Sequence, residues 1–514
     1  MNGADCLMRA LADAGVTLCF TNPGTTEIHL VAALEQERRI RTVLGLFEGV
    51  CSGAADGFAR MTGRPAVNLL HLGPGLANAM ANLHNARRAR SPVVNLVGDH
   101  PVIHRRNDPP LASDIATMAA PVSGWVRESA DALALPEDGV AAVRAALGLP
   151  GQVATLVIPA DCAWGTSQHL QSGIPQPEAS PLSESAIAKA VGMLRSGAPT
   201  ALVLGGKTLL EPGLRAAARI AQRSGAAVLS QTFDARFARG AGLPLVQRLP
   251  YFPERARKRL AACSQFILVG THTPISFFAY PNGELDLLPK GSRVEILADE
   301  KQDAARALET LAEALGAGQD MTPPPMLKRP ERPTGALTAE SAGAAIGALL
   351  PEGAVVSDES GTSGEFAYRH TVGAPPHDWL CLTGGSIGQG VPVGTGAALA
   401  CPQRPVICLK GDGGAMYTLQ ALWTQAREAL NVTTVIFSNR KYQILQVELQ
   451  RLGFTTPSAA LLSTMELSRP DLDWVKLAQG MGVPAARADS AEVFTSELER
   501  ALAEPGPHLI EALL

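Results

Sequence analysis

The stretch Leu409-Lys410-Gly411-Asp412-Gly413-Gly414-Ala415-Met416-Tyr417, followed at a distance by Phe437-Ser438-Asn439-Arg440-Lys441-Tyr442, decides the fold. The run from Pro405 to Leu409 is short and apolar, the pattern of a buried strand. The glycines after it let the backbone turn sharply and approach a ligand closely. A helical pattern over Tyr417 to Leu430 comes next, then a second strand pattern from Val432 to Phe437 that runs into Asn439. In a parallel sheet both loops emerge at the carboxyl ends of the strands, where α/β proteins bind ligands. Asp412 and Asn439, 27 residues apart, can therefore meet.

Two side-chain oxygens, a nearby backbone carbonyl and diphosphate oxygens make a six-coordinate shell suited to Mg²⁺. Gly-Asp-Gly alone also fits an ordinary strand-to-helix turn. The glycines, the spacing to an Asn and the helix-strand pattern between them are far more specific together. The combination resembles the thiamine-diphosphate signature of the pyruvate decarboxylase and acetolactate synthase superfamily, and within it benzoylformate decarboxylase and proteins like the acetolactate synthase large subunit. The resemblance implies that Asp412, Asn439 and the Lys441 carbonyl hold Mg²⁺, that Mg²⁺ holds the diphosphate, and that Gly413 and Gly414 lie against the cofactor. The family often carries two asparagines where this chain has Ser438-Asn439; the retained Asn is the one expected on the metal.

At 514 residues the chain suits about three domains of ordinary size. A hydrophobic content of 46% with 18% charged residues is that of a globular protein. The formal charge of −4 offers no basic field for nucleic acid. Arg87-Arg88-Ala89-Arg90 and Arg255-Ala256-Arg257-Lys258-Arg259 are short basic clusters in helical patterns, read as solvated faces. No apolar run reaches 18 residues and the N-terminus lacks the pattern of a signal peptide, so neither membrane nor export is expected. The eight cysteines are scattered, with no Cys-x-x-Cys, and several, such as Cys19, Cys263 and Cys408, sit in apolar runs. Reduced core thiols in a cytoplasmic protein are the expectation.

Strand and helix patterns alternate over residues 1–170, with strands at Val16 to Phe20, Thr42 to Leu46, Ala66 to Leu70, Val93 to Val97 and Ala154 to Ile158. The alternation argues for a doubly wound parallel sheet. A loose Pro/Ser/Gly stretch from Gln171 to Leu182 reads as a linker. A second unit, 183–320, has strands at Thr200 to Leu204, Ala227 to Leu229, Phe266 to Gly270 and Arg293 to Leu297. A second linker, Thr322-Pro323-Pro324-Pro325 with Pro330 and Pro333, precedes a third unit, 335–514, with strands at Val355 to Ser357, Val406 to Leu409, Thr433 to Phe437 and His508 to Ala512. The fold class is α/β: three doubly wound parallel-sheet domains. This matches the superfamily's order of pyrimidine-binding, middle and diphosphate-binding domains.

Glu48 ends an apolar strand and opens a small-residue segment, Gly49-Val50-Cys51-Ser52-Gly53-Ala54-Ala55-Asp56-Gly57-Phe58-Ala59-Arg60. A carboxylate there is costly to bury without a partner. By the resemblance the partner is N1' of the aminopyrimidine. A proton shared between the two favours the imino form, which deprotonates thiazolium C2. In the family this Glu comes from a neighbouring subunit, so a homo-oligomer is implied, a dimer at least and a tetramer by analogy. Asn22-Pro23-Gly24-Thr25-Thr26-Glu27 reads as a turn into a helix, with Thr25 or Thr26 as N-cap and Glu27 in the first turn. Thr25 falls where benzoylformate decarboxylase has a substrate-contacting serine. His71, at a strand end in Leu69-Leu70-His71-Leu72-Gly73-Pro74-Gly75, matches that enzyme's proton-transfer histidine and would bind substrate or relay protons. Its second active-site histidine is absent, with Phe278 in Ser276-Phe277-Phe278-Ala279-Tyr280 nearest in alignment and His272 only close in sequence.

In the third unit the resemblance implies that Gly361 and Thr362, within Asp358-Glu359-Ser360-Gly361-Thr362-Ser363, bind the diphosphate, and that the residues named next also serve the cofactor and substrate. Gly385 would accept from the 4'-amino group and Ile387 would wedge the cofactor into its bent form. Tyr417 and Tyr442 would flank the diphosphate, and Ile444 and Leu445, at the start of the helix that holds Gln443 and Glu448, would line an apolar substrate pocket. The resemblance implies a thiamine-diphosphate- and Mg²⁺-dependent, non-oxidative decarboxylation of a 2-oxo acid to an aldehyde, through a C2 ylid and an enamine. Acetolactate-synthase-like carboligation is the alternative. The middle domain is short, so FAD is not expected. A non-catalytic cofactor binder is disfavoured by Glu48, Asp412 and Asn439. A phosphate-loop enzyme is disfavoured because no Gly-x-Gly-x-x-Gly or Gly-Lys-Ser/Thr follows a strand.

Overall fold

Short β-branched runs separated by helices build the protein, which is described by a computed structural model for residues 1–280, 285–318 and 325–514. The expected boundary at residue 320 and the Thr322-Pro323-Pro324 part of the second linker lie outside the described residues. The chain forms two units, one of residues 1–177, 329–371 and 381–514, the other of residues 178–328 and 372–380.

The first unit contains two sheets. One is built from β1 (Leu18–Thr21), β2 (Arg41–Leu44), β3 (Ala66–Leu70), β4 (Val93–Asp99), β5 (Trp125–Glu128) and β6 (Val153–Pro159), in the order β2-β1-β3-β4-β6-β5. All its pairings are parallel. The inner strands β3, β4 and β6 are buried along their whole length, which is why they read as mostly apolar runs; Asn68, Asn95 and Thr155, which interrupt them, hydrogen-bond to one another across the strands. β5 is half exposed at the sheet edge, and the sequence patterns miss it.

The second unit has a parallel sheet of β7 (Thr200–Leu204), β8 (Ala227–Ser230), β10 (Gln247–Arg248), β11 (Gln265–Val269) and β12 (Arg293–Ala298), in the order β10-β8-β7-β11-β12. In the same unit β9 (Phe237–Arg239) pairs antiparallel with β14 (His377–Cys381) through His377 to Trp379. Neither β9 nor β14 is anticipated by the strand patterns.

The second sheet of the first unit contains β13 (Val355–Glu359), β15 (Val406–Gly411), β16 (Val432–Ser438), β17 (Ala485–Ala488) and β18 (His508–Leu513), in the order β17-β18-β16-β15-β13. These pairings are parallel too. Counting β14 as second in this C-terminal set, the strands run fifth, sixth, fourth, third, first, as β5, β6, β4, β3 and β1 do in the other sheet. The likeness of the first and third segments is thus one of topology.

The Glu48–Thr62 helix is buried on nearly every side and packs on the Gly390–Ala400 helix of the same unit. Glycine makes the approach possible. A Cβ on Gly57 would lie 2.1 Å from the Val393 carbonyl oxygen, and one on Gly396 would lie 1.9 Å from that of Ala54. Asp56 and Arg60, both buried, form an ion pair one turn apart that is tied in by Ser91, Gln389 and the Cys381 carbonyl. Cys263, read as a core residue, is only half-buried, and all eight cysteines are free.

Candidate active site

β1 leads into the Asn22–Glu27 turn, and the expected threonine cap does not form. Glu27 itself precedes the Ile28–Gln36 helix, with no side-chain cap. Its carboxylate turns inward instead, because a half-buried partner 44 residues away competes better for it: Oε2 is 2.7 Å from His71 Nδ1 and accepts from Gly24 N–H at 3.2 Å. Glu27 is fully buried and, among the described residues, its Oε1 has no hydrogen-bond partner. Burial pushes the Glu27 carboxyl above its ordinary range, and the contact with His71 opposes the rise. Glycines on both sides accommodate the pair: a Cβ on Gly24 would sit 2.0 Å from His71 Nδ1, and one on Gly98 would sit 2.0 Å from Glu27 Oε1.

His71 directly follows β3, at the N-cap of the Leu72–Arg88 helix, and precedes Leu72, a buried leucine with φ 49°. A branched residue in the left-handed region is a conformation held by its surroundings. Glu48, at the start of its helix, is buried and accepts from Asn78 Nδ2 at 3.0 Å. A Cβ on Gly75 would stand 3.3 Å from both Glu48 Oε1 and His71 Cβ. The sheet therefore delivers Glu27, His71 and Glu48 to one place, with Thr25 exposed on the turn beside them.

The second group gathers around β15 and β16. Asp412 is buried; its Oδ1 accepts from Gly413 N–H at 2.8 Å and its Oδ2 from Arg440 N–H at 2.6 Å. Burial raises the Asp412 carboxyl while those two N–H groups hold it down. Asn439 Oδ1 accepts from Lys441 N–H at 3.2 Å. The two loops expected to meet are thus joined directly. Arg440, between Asn439 and Lys441, holds φ 56°, so this loop too is constrained by its contacts. Tyr442 packs its ring on Gly413, where a Cβ would come within 2.3 Å, and its hydroxyl is raised by burial and by Tyr417 and Asp412. Ile387 Cβ lies 3.7 Å from the position a Gly414 Cβ would take. Gly385 has φ 78°, and Gly361 and Thr362 are exposed on a short 3₁₀ turn after β13. Ile444 and Leu445 lie on the Gln443–Arg451 helix, Leu445 exposed. Phe278 belongs to the second unit, where its ring stands edge-on to Phe277.

The helical pattern read over Tyr417 to Leu430 shortens to Ala421–Arg427. The residues before it serve the loop: Thr418 Oγ1 donates to the Gly388 carbonyl at 2.7 Å. Sequence reasoning also misses Asn78, Asn82 and Asn85, spaced to share one helix face. Asn82 donates to the carbonyls of Gly49 and Gly388, and Asn85 to that of Ser386. The polar stripe in a buried helix is the signal that was available.

The residues present suit a diphosphate cofactor with a divalent cation. Among the described residues no cluster of three His, Cys, Asp or Glu side chains can hold a metal alone. One buried carboxylate, Asp412, stands beside neutral oxygen donors and needs a cation's other oxygens from elsewhere. The glycines around it leave the backbone uncovered: a Cβ on Gly411 or Gly361 would meet nothing within 4 Å.

An α/β protein with two parallel sheets of one topology, a buried glutamate opening the helix that follows a strand of one and a Gly-Asp-Gly loop joined to an Asn on the other, is a cofactor-dependent enzyme of the thiamine diphosphate class. The chain belongs to the thiamine pyrophosphate enzymes: residues 1–119 match the N-terminal and residues 359–512 the C-terminal thiamine pyrophosphate binding domain. It is 51% identical, over 100% of its length and 99% of the relative's, to the Mycobacterium tuberculosis protein named "Putative acetolactate synthase large subunit IlvX". It is 28% identical to the benzoylformate decarboxylase of Pseudomonas aeruginosa, over 97% of this chain and 96% of that one. The thiamine-diphosphate-dependent 4-hydroxybenzoylformate decarboxylase of Rhodococcus jostii superposes with a TM-score of 0.88 at 25% identity, covering 99% and 98% of the two chains. Among the described residues no helix is long and apolar enough to cross a membrane.

Proposed function

We propose that the protein decarboxylates a 2-oxo acid to an aldehyde without oxidation, using thiamine diphosphate and Mg²⁺. The observation that carries this reading is the seating of His71 on buried Glu27, next to Glu48 across Gly75. Aldehyde release requires a proton delivered to the carbon that has lost CO₂, whereas carboligation brings a second carbonyl there. An imidazole backed by a carboxylate is a proton donor of that kind.

Thiamine diphosphate, when bound, supplies the sink for the electron pair that CO₂ leaves behind. Asp412, the Asn439 side-chain oxygen and the Lys441 carbonyl would hold Mg²⁺, which suits oxygen donors and keeps substrate or cofactor oxygens in its shell. Gly361, Thr362, Gly413, Gly414, Tyr417 and Tyr442 would hold the diphosphate, and Gly385 and Ile387 the pyrimidine and its bend. Glu48, which accepts from Asn78, would hold the aminopyrimidine N1' and share a proton with it. Glu27 fixes the imidazole through Nδ1, leaving Nε2 to work on the substrate with Thr25. Ile444 and Leu445 would make the substrate side apolar, as an aromatic 2-oxo acid requires. No electrons leave the reaction, so FAD is not called for.

The active form is a homo-oligomer, a dimer at least, with Glu48 serving a neighbouring subunit's cofactor. Ile28, Leu46, Met416, Tyr417 and Leu445, exposed beside the two site groups, support an interface that completes the site. Free cysteines throughout suit the cytoplasm. A second reading, carboligation of the acetolactate synthase type, is favoured by the name of the 51% identical relative. The deciding experiment offers the purified protein, with both cofactors, benzoylformate, 4-hydroxybenzoylformate and pyruvate separately. An aromatic aldehyde from either of the first two is the expected product; acetolactate from pyruvate would replace this reading with the second.

A further inference from the structure

Glu359 and Lys410 are the last residue of β13 and the penultimate residue of β15, paired in register across the two strands. Both side chains are buried, Lys410 completely and Glu359 to 2% exposure, and Lys410 Nζ contacts Glu359 Oε1 as an ion pair without hydrogen-bond alignment. The carboxylate has two further partners. Oε1 accepts from Gly388 N–H at 2.8 Å and Oε2 from Gly390 N–H at 2.6 Å. Gly388, at φ 99°, also receives Thr418 and Asn82 on its carbonyl. One carboxylate therefore ties together the strand that ends in Gly411-Asp412, the loop that carries Ile387, and the first residue of the Gly390–Ala400 helix.

Space for the pair exists only because neighbours lack side chains. A Cβ on Gly390 would lie 2.8 Å from Lys410 Cδ and 3.1 Å from Glu359 Cβ, and one on Gly414 would lie 2.8 Å from Glu359 Oε1. Stability alone does not account for such a pair. Replacing a buried ion pair by apolar groups of similar volume is often neutral or favourable, whereas removing one partner strands a charge. What the pair supplies is a fixed distance between two glycine-rich loops, alongside the hydrogen bonds that Thr418, Asn82 and Asn85 make to the Ile387 loop.

We infer that Glu359 and Lys410 are positioning residues, a buried charged strut that sets the Ile387 loop against the Gly411–Gly414 loop and so sets the geometry in which the cofactor is presented to Glu48. The inference rests on the thiamine diphosphate reading of those loops. Neither residue touches the reacting atoms in this scheme. Misplacing one loop should slow turnover far more than it weakens binding, because proton transfer depends steeply on distance and alignment.

The test uses the full-length protein, with the variants Lys410→Met and Gly390→Ala, and the double variant Glu359→Gln/Lys410→Met to avoid a stranded carboxylate. For each, thiamine diphosphate affinity in the presence of Mg²⁺ is measured by calorimetry, melting temperature by scanning fluorimetry without cofactor, near-ultraviolet circular dichroism with the cofactor bound, and kcat and KM on the substrate found above. The expected result is a cofactor dissociation constant within about threefold of the parent, a KM little changed, a kcat lower by about ten- to a hundredfold, and an altered circular dichroism band. A kcat and spectrum equal to the parent's in the folded double variant would overturn the strut. So would a lower melting temperature as the sole change in all three variants, which marks a merely structural pair. Failure of the parent protein to bind thiamine diphosphate would instead overturn the reading of the site, and is seen before any variant is made.

Discussion

Glu27 is a buried carboxylate with one good partner, and that partner is the histidine on which turnover is proposed to depend. Glu27→Gln keeps the shape and loses the charge behind the imidazole. Turnover should fall by about a hundredfold, with thiamine diphosphate affinity unchanged; near-parental kcat would make the contact merely structural. Glu48→Gln should cost about a thousandfold or more in turnover while the melting temperature holds, and a variant that keeps its rate would remove Glu48 from the mechanism. Asp234, in the second unit, gives a stability test independent of the site. Burial raises its carboxyl to about 7 from an ordinary 3.8, against the backbone N–H groups of Gln231 and Gly206, and its Oδ2 is buried without a hydrogen-bond partner among the described residues. The folded state then keeps a proton that the unfolded chain has released, so stability declines as pH rises from about 4 to about 7, by at most about 4 kcal/mol. Denaturant unfolding of Asp234→Asn should show that decline flattened; an unchanged slope would mean the carboxyl titrates normally. Glu48, His71, Asp412 and Asn439 stood out in the sequence because each follows a strand pattern, the first three among glycines. The bond from Glu27 to His71 did not, since a first-turn glutamate looks the same whether it faces water or a distant ring.

At the scale of elements, the inner parallel strands were readable because burial on both faces leaves them almost wholly apolar. β5 and β17, half exposed, carry mixed residues and escape the same pattern. The helix that opens at Glu48 is rich in small residues, and its partner is another glycine-rich helix of the same unit. That contact is tight enough to test. Gly57→Ala places a methyl 2.1 Å from the Val393 carbonyl oxygen, which is backbone and cannot swing away. Destabilisation by about 1–3 kcal/mol is expected from such overpacking, measured as a lower midpoint in denaturant. A midpoint equal to the parent's would show that the two helices separate at little cost. Lys410 was visible as a charge at the end of an apolar strand, and only its pairing with Glu359 explains why it is tolerated there.

For the whole molecule, the proposed sharing of the site between subunits makes two inactive chains complementary. Glu48→Gln spoils the first sheet's contribution and Asp412→Ala the second's. Co-expressed with separate affinity tags and purified as the mixed oligomer, the pair should recover up to about half the parental activity per chain, because one site in each mixed dimer then has both wild-type halves. An inactive mixed oligomer would place the complete site within one chain. The sequence by itself determined the α/β class, the succession of parallel strands and the family, because strand-end motifs and buried apolar runs are local patterns that survive in one dimension. Tertiary structure decided the common topology of the two sheets, the Glu27–His71 contact and the Glu359–Lys410 pair. Each of these joins residues far apart in the chain, and whether a charged side chain meets water or a buried partner is settled only when the strands are laid side by side.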